Sequence, residues 1–216
     1  MGVKFGKVMF GDIAYRFKEG WYFFAPLMAN GLRNSSGTLF LGLLSNNTAV
    51  GFYSIAEKAL KALEVVLSPL FQSVYPFFAK MYLEERSRAL VFLKKTILLS
   101  GAFSFLVAAT VFIFAPLIVA LLAHYPFPES IVALRILVFA VFLYGINMIL
   151  GYQGLAICGY QKELFKVVLF CSLLQVALLL ILIPGYGIAG AAASVVIAEL
   201  AITVAEYAIL KNKKII

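Results

Sequence analysis

Six long apolar windows run along this chain, at about 20–44, 49–82, 95–123, 131–158, 164–183 and 187–210, separated by short polar breaks. A helix rising 1.5 Å per residue needs about 20 apolar residues to cross a hydrocarbon core of about 30 Å, and each window reaches that length. The breaks carry turn chemistry: Ser45-Asn46-Asn47, Tyr125-Pro126-Phe127-Pro128, Gly159-Tyr160-Gln161-Lys162 and Pro184-Gly185-Tyr186-Gly187. The pattern predicts an all-α membrane protein, a bundle of six transmembrane helices. The second window is longer than a bilayer requires, so its helix should tilt or protrude. Pro69 and Pro76, seven residues apart inside it, predict bends on one face.

Polar residues interrupt these windows in a regular way. Glu57, Lys61, Glu64, Ser68 and Gln72 follow one another at helical spacing and share one face of the second helix. On the sixth, Glu199, Thr203 and Glu206 repeat the arrangement. A charge at mid-membrane costs about 2.5–3.5 kcal/mol on insertion scales, so such stripes require protein or water in front of them. Counting 1.5 Å per residue from the helix starts places Arg33, Lys58, Lys61 and Glu199 about 13–20 Å deep, in one central band. Two arrangements fit. The charges could be ion pairs that hold the bundle together, as the spacing of Glu57, Lys61 and Glu64 allows. Alternatively they line a water-filled cavity that receives an anion, because Arg33 and two lysines at one depth lack an equal supply of nearby acids. Arg135 lies near an outer helix end, where it can snorkel.

Charge then orients the bundle. Fourteen of the eighteen basic residues fall in the N-terminal segment, the second-to-third and fourth-to-fifth connections, and the C-terminus. The alternate connections contain none, so both termini are expected in the cytoplasm. The chain divides into an amphipathic cytoplasmic lead-in (1–18), a six-helix lobe (19–210) and a basic tail (211–216). The net charge of +8 is mostly this asymmetry, and its division among short loops argues against nucleic-acid binding.

Composition agrees with the membrane setting: hydrophobic residues make up 63% of the chain and charged residues 13%. Cys158 and Cys171 lie in apolar runs without metal or redox spacing and read as buried reduced thiols. A membrane glycosyltransferase or phosphotransferase would need acids and histidines gathered at a membrane surface. Here His124 is the one histidine and Asp12 the one aspartate. No enzyme activity, catalytic residue, metal or cofactor is expected.

The stretch Val50-Gly51-Phe52-Tyr53-Ser54-Ile55-Ala56-Glu57-Lys58 closely resembles polysaccharide-export flippases of the bacterial O-antigen type. So does Ser68-Pro69-Leu70-Phe71-Gln72-Ser73-Val74-Tyr75-Pro76-Phe77-Phe78-Ala79-Lys80. Those proteins belong to the multidrug/oligosaccharidyl-lipid/polysaccharide exporter superfamily. Lys18-Glu19-Gly20-Trp21, Gly159-Tyr160-Gln161-Lys162 and Ile183-Pro184-Gly185-Tyr186-Gly187-Ile188-Ala189-Gly190-Ala191-Ala192 match in the same order. The resemblance implies two six-helix lobes around a central cavity and transport of lipid-diphosphate-linked oligosaccharides across the cytoplasmic membrane. The motifs match the C-terminal lobe only, so a second six-helix lobe, an upstream half or another copy, is an implied partner alongside substrate and membrane lipids. On this reading Arg33, Lys58 and Lys61 contact the diphosphate, and Asn34, Ser68 and Gln72 contact sugar hydroxyls. Glu64 or Glu199 acts as a coupling acid. The alternatives are a lobe of a multidrug antiporter of the same superfamily, with an acidic pocket for cations, or a truncated chain without transport.

The charge asymmetry generates a topology test. Single cysteines at Asn46 and Glu129 should react with an impermeant thiol reagent in intact cells, and those at Arg86 and Lys213 only after permeabilisation. Labelling of position 86 from outside would reverse the orientation.

Overall fold

The computed structural model describes Gly31 and residues 35–216, which form helices and their connections without a strand. A short helix, α1, covers Ser35–Leu44. It is followed by α2 (Asn47–Glu84), α3 (Arg86–Ala123), α4 (Pro128–Asn147) and α5 (Gln161–Asn212). The backbone of α4 continues without a stop into a π-helical segment, Met148–Ala156. Four of these helical stretches are long and apolar enough to cross a membrane, which makes this a multi-pass membrane protein.

Local chemistry sets the boundaries. Asn46 caps α2 by accepting the amide of Ala49 at 2.8 Å. Pro128 sits in the first turn of α4, where its missing N–H costs nothing, and Glu129 faces the positive end of the helix dipole. His124 ends α3 in the left-handed conformation, and Gly159 (φ 89°) turns the chain between the π segment and α5. α2 runs through both Pro69 and Pro76 as a single helix. Near the second, Gln153 of the π segment donates to the Phe71 carbonyl at 3.1 Å. That carbonyl adjoins the one on Gln72, whose usual i+4 amide partner is lost at Pro76.

The 52-residue α5 is not a straight rod. Gly187 breaks it with φ 53° and ψ −126°, a backbone conformation open only to glycine. Val167, Cys171 and Ile202 share one buried cluster, with Ala205 and Ile209 against it. On a straight helix Cys171 and Ile202 would be about 46 Å apart. A Cβ on Gly190 would also collide with the Leu182 backbone. The two arms, 161–186 and 188–212, therefore run antiparallel as a hairpin. The first window, 20–44, and the lead-in 1–18 lie largely outside the described residues.

α4 is the central helix. It packs against α2, α3 and α5, while α2 and α5 meet along a short line. Leu134, Leu137, Val141, Ile149 and Leu150 of α4 and its π extension form the middle of the core. The faces turned outward are apolar, with Leu98, Phe105, Ile113, Leu121, Phe170 and Ile181 exposed as lipid-facing side chains are.

The two ends of the bundle differ. At one, Phe52 stacks on Phe127 at 5.0 Å, and Ser130 donates to the Phe52 carbonyl at 2.9 Å. At the other, Lys213 lies over the ring of Tyr160 and Tyr82 hydrogen-bonds Cys158. The basic connections after α2 and after the π segment thus meet the basic tail at one end. Two differences from the windows stand out. α3 begins at Arg86 rather than near 95, so Lys94 and Lys95 lie within the helix. Arg135 places its guanidinium over the Phe112 ring at 5.2 Å, with its Nε buried.

The hairpin predicts that native Cys171 forms a crosslink to cysteine introduced at Ile202, which a continuous helix forbids. Gly187→Val should cost about 1–3 kcal/mol through backbone strain, read as a lower unfolding temperature in detergent. Unchanged stability would place no strained turn at 187.

Candidate functional site

The short contact line between α2 and α5 leaves a cleft. Gly37 of α1 forms part of its wall. Tyr53, Glu57, Leu60, Lys61 and Glu64 come from α2, and Gln175, Val195 and Glu199 from the two arms of α5. It is narrow, holding about 380 Å³ of non-atom space with its open mouth included. Polar groups concentrate here because the cleft is where three apolar elements fail to close on one another.

Helical spacing on α2 brings Glu57, Lys61 and Glu64 to this wall. Glu57 is buried, and its two oxygens are separately occupied. Lys61 Nζ lies 3.2 Å from Oε1, and the Thr38 hydroxyl of α1 donates to Oε2 at 2.7 Å. The Lys61 side chain keeps 42% of its surface exposed, so this ammonium is both paired and accessible. Gln175, on the first arm of α5, donates to the Ser36 hydroxyl at 3.1 Å and ties the hairpin to α1.

Glu199 is held differently. Its Oε2 accepts the Asn147 side-chain amide at 2.7 Å, from the last α-helical residue before the π segment. The Thr203 hydroxyl, one turn further along α5, donates to the Asn147 carbonyl oxygen at 2.6 Å. That bond fixes which end of the amide faces Glu199, so Asn147 must present N–H to the carboxylate. Glu206, one turn on, packs so tightly on Gly151 of the π segment that a Cβ there would lie 2.6 Å from its Oε1. A side chain at 151 would force the Glu206 carboxylate to shift. Ala191, Ala192 and Ser194 are fully buried and allow the second arm its close contact beneath Glu199.

Of the residues singled out from sequence, Lys61, Glu64 and Glu199 line the cleft. Ser68 is half-buried and hydrogen-bonds Tyr144 of α4. Lys58 and Gln72 are exposed outside the lining. Lys58 is about 100° round the helix from Glu57, and a stripe stepping 4, 3, 4 and 4 residues drifts about 60° by its fifth member. Arg33 and Asn34 lie outside the described residues. Among the described residues the lining holds three carboxylates and one ammonium, an acid excess when all are ionised. Sequence reasoning missed Thr38, Tyr53, Asn147 and Gln175. Asn147 and Gln175 did carry a signal, as isolated amides in apolar helices. Among the described residues no group of histidine, cysteine and carboxylate side chains has the makings of a metal site.

The clasp on Glu199 yields a prediction. Asn147→Leu removes a buried donor from a carboxylate and should cost about 1–3 kcal/mol, measured by thermal unfolding in detergent. Glu199→Gln, which can still accept from Asn147, should cost less. Equal stability of Asn147→Leu and wild type would show that the clasp contributes nothing.

Residues 3–82 match the family model described as polysaccharide biosynthesis protein, a segment that includes the α2 wall of the cleft. A protein of Escherichia coli (strain K12) described as a "putative O-antigen transporter" is 24% identical over 202 residues. That alignment covers 92% of this chain and 48% of the relative, so the chain spans about half the length of the curated relative it matches. No solved structure matches it significantly. The order of motifs, the family match and the relative agree: this chain is similar to polysaccharide biosynthesis proteins of the O-antigen transporter type.

Proposed function

We propose that this chain is one lobe of a flippase that moves lipid-diphosphate-linked oligosaccharides across the cytoplasmic membrane for cell-surface polysaccharide synthesis. The observation that carries the reading is the polar cleft, with Lys61 accessible and acids on both walls, inside an otherwise apolar bundle whose sequence resembles polysaccharide proteins. Lys61, with Arg33 and Lys58, supplies charge-assisted contacts to the diphosphate. Asn34, Ser68 and Gln72 hydrogen-bond sugar hydroxyls. Glu64 and Glu199 couple the cycle to a proton or cation, and no covalent chemistry is required.

A second lobe belongs to this proposal. Lys58 and Gln72 are exposed on a helix that crosses the membrane, where lipid is a poor neighbour for either. A second six-helix lobe facing α2 gives both a polar surface and encloses the cavity that alternating access requires. Both termini then lie in the cytoplasm.

Export of lipid-linked glycan, in cells or vesicles where this chain supports it, provides the test. Arg33→Gln and Lys61→Gln should each reduce export about tenfold or more, as loss of a charge-assisted contact implies, with membrane protein levels unchanged. Glu199→Gln should flatten the dependence of export on pH or cation. Normal export by both basic variants would return these charges to structural pairing.

The acid excess of the lining favours one second reading, a lobe of a multidrug antiporter that takes organic cations. Efflux of a cationic dye that depends on Glu64 and Glu199 but not on Lys61 would select it.

A further inference from the structure

The basic end of the bundle brings together three segments far apart in sequence: the turn at Glu85 between α2 and α3, the loop 157–160, and the tail after Asn212. Two cations there rest on tyrosine rings. The Arg86 guanidinium carbon is 5.5 Å from the centroid of Tyr82, and the Lys213 ammonium is 5.1 Å from that of Tyr160. Cys158 joins the two pairs through its hydrogen bond with Tyr82, which is also close enough to Tyr160 to interact with it electrostatically.

Neighbouring charges are already matched: Lys80 with Glu84 and Arg88 with Glu85, each at 3.8 Å. Among the described residues neither Arg86 nor Lys213 has a carboxylate within ion-pair distance. Their side chains are exposed at the end of membrane-crossing helices, each over an aromatic face.

The tail holds its shape. Lys213 donates its amide to the Ile209 carbonyl at 2.9 Å, and Ile215 donates to Leu210 at 3.0 Å. Between them Lys214 takes a left-handed turn (φ 55°), and Ile215 is driven into the core with 2% of its surface exposed. Leu210 is in turn wedged against Gly154, where a Cβ would meet it at 2.8 Å. Lys213 is thus presented from a fixed platform, which separates this rim from a diffuse basic surface.

We propose that this rim is a binding site for the phosphate of an anionic phospholipid, with Arg86 and Lys213 as the phosphate contacts and Tyr82 and Tyr160 as the ring platform at headgroup depth. Tyrosine favours the membrane interface, and each basic residue beside an anionic surface adds about fivefold to lipid partitioning. The site is distinct from the cleft, and the inference does not rest on the transport reading.

The experiment uses the whole purified chain in mild detergent, titrated with phosphatidylglycerol, phosphatidylcholine or inorganic pyrophosphate while thermal unfolding is followed. Phosphatidylglycerol should stabilise the protein and phosphatidylcholine should not. The double substitution Arg86→Gln with Lys213→Gln should weaken the apparent affinity about tenfold or more. Lys94→Gln with Lys95→Gln, equal in charge removed but about 12 Å further along α3, should lose clearly less. Ile215→Ser, which frees the tail but keeps every charge, should also weaken binding. Equal losses in the two double variants, or none in Arg86→Gln with Lys213→Gln, would overturn the site. Pyrophosphate stabilising as well as phosphatidylglycerol would overturn the lipid assignment.

Discussion

A carboxylate carried to the depth of a hydrocarbon core must be met there by donors, and the arrangement of this bundle follows from meeting that demand. Glu199 is answered by Asn147, whose orientation Thr203 fixes, and Glu57 by Lys61 and Thr38. Lys61 meets Glu57 from within α2, whereas the other bonds join elements that apolar packing alone would let slide past one another. Asn147 locks the second arm of α5 to α4, Thr38 locks α1 to α2, and Gln175 locks the first arm to α1. Lipid tails drive little association between apolar helices, so polar clasps and small-residue contacts carry much of the specificity. The Gly151–Glu206 and Gly190–Leu182 approaches are the second of these devices.

The all-helical membrane character was legible in the sequence because membrane helices have few alternatives, while the expected count of six is not reached among the described residues, where four stretches are long and apolar enough to span. Length and hydropathy set the spans, and Asn46, Pro128 and Gly159 marked their ends. Gly187 is instructive. Its place in a Pro-Gly-Tyr-Gly break announced a turn, and its backbone angles make one, although helical hydrogen bonding continues almost to it on both sides. The π segment was not legible. Met148–Ala156 is as apolar as any helix, and its close approach to Glu206 and Leu210 at Gly151 and Gly154 is a tertiary feature that periodicity does not carry.

The candidate site was legible in part. Helical periodicity found Glu57, Lys61, Glu64 and Glu199, since a polar stripe in an apolar helix has few meanings. It overextended the stripe to Gln72, because steps of 4, 3, 4 and 4 slowly precess around the helix. Equal depth also drew Lys58 toward the same band, but depth does not specify azimuth, and Lys58 faces outward. Gln175 and Asn147 face the charges from other helices, and only the packing of α4 and the α5 hairpin reveals which lone amides meet which acids.

The central claim is that the cleft between α2 and α5 is a polar interior reached by water, while the outer faces meet lipid. Spin labels placed singly at Glu64 and Val195 in the cleft, and at Ile113 and Leu173 on apolar faces, test it most directly once Cys158 and Cys171 are replaced. Reconstituted in bilayers, labels at 64 and 195 should relax in response to a water-soluble paramagnetic complex. Those at 113 and 173 should respond to oxygen alone. If the cleft labels respond only to oxygen, the polar residues form a dry structural core and the account of a substrate-facing interior is wrong.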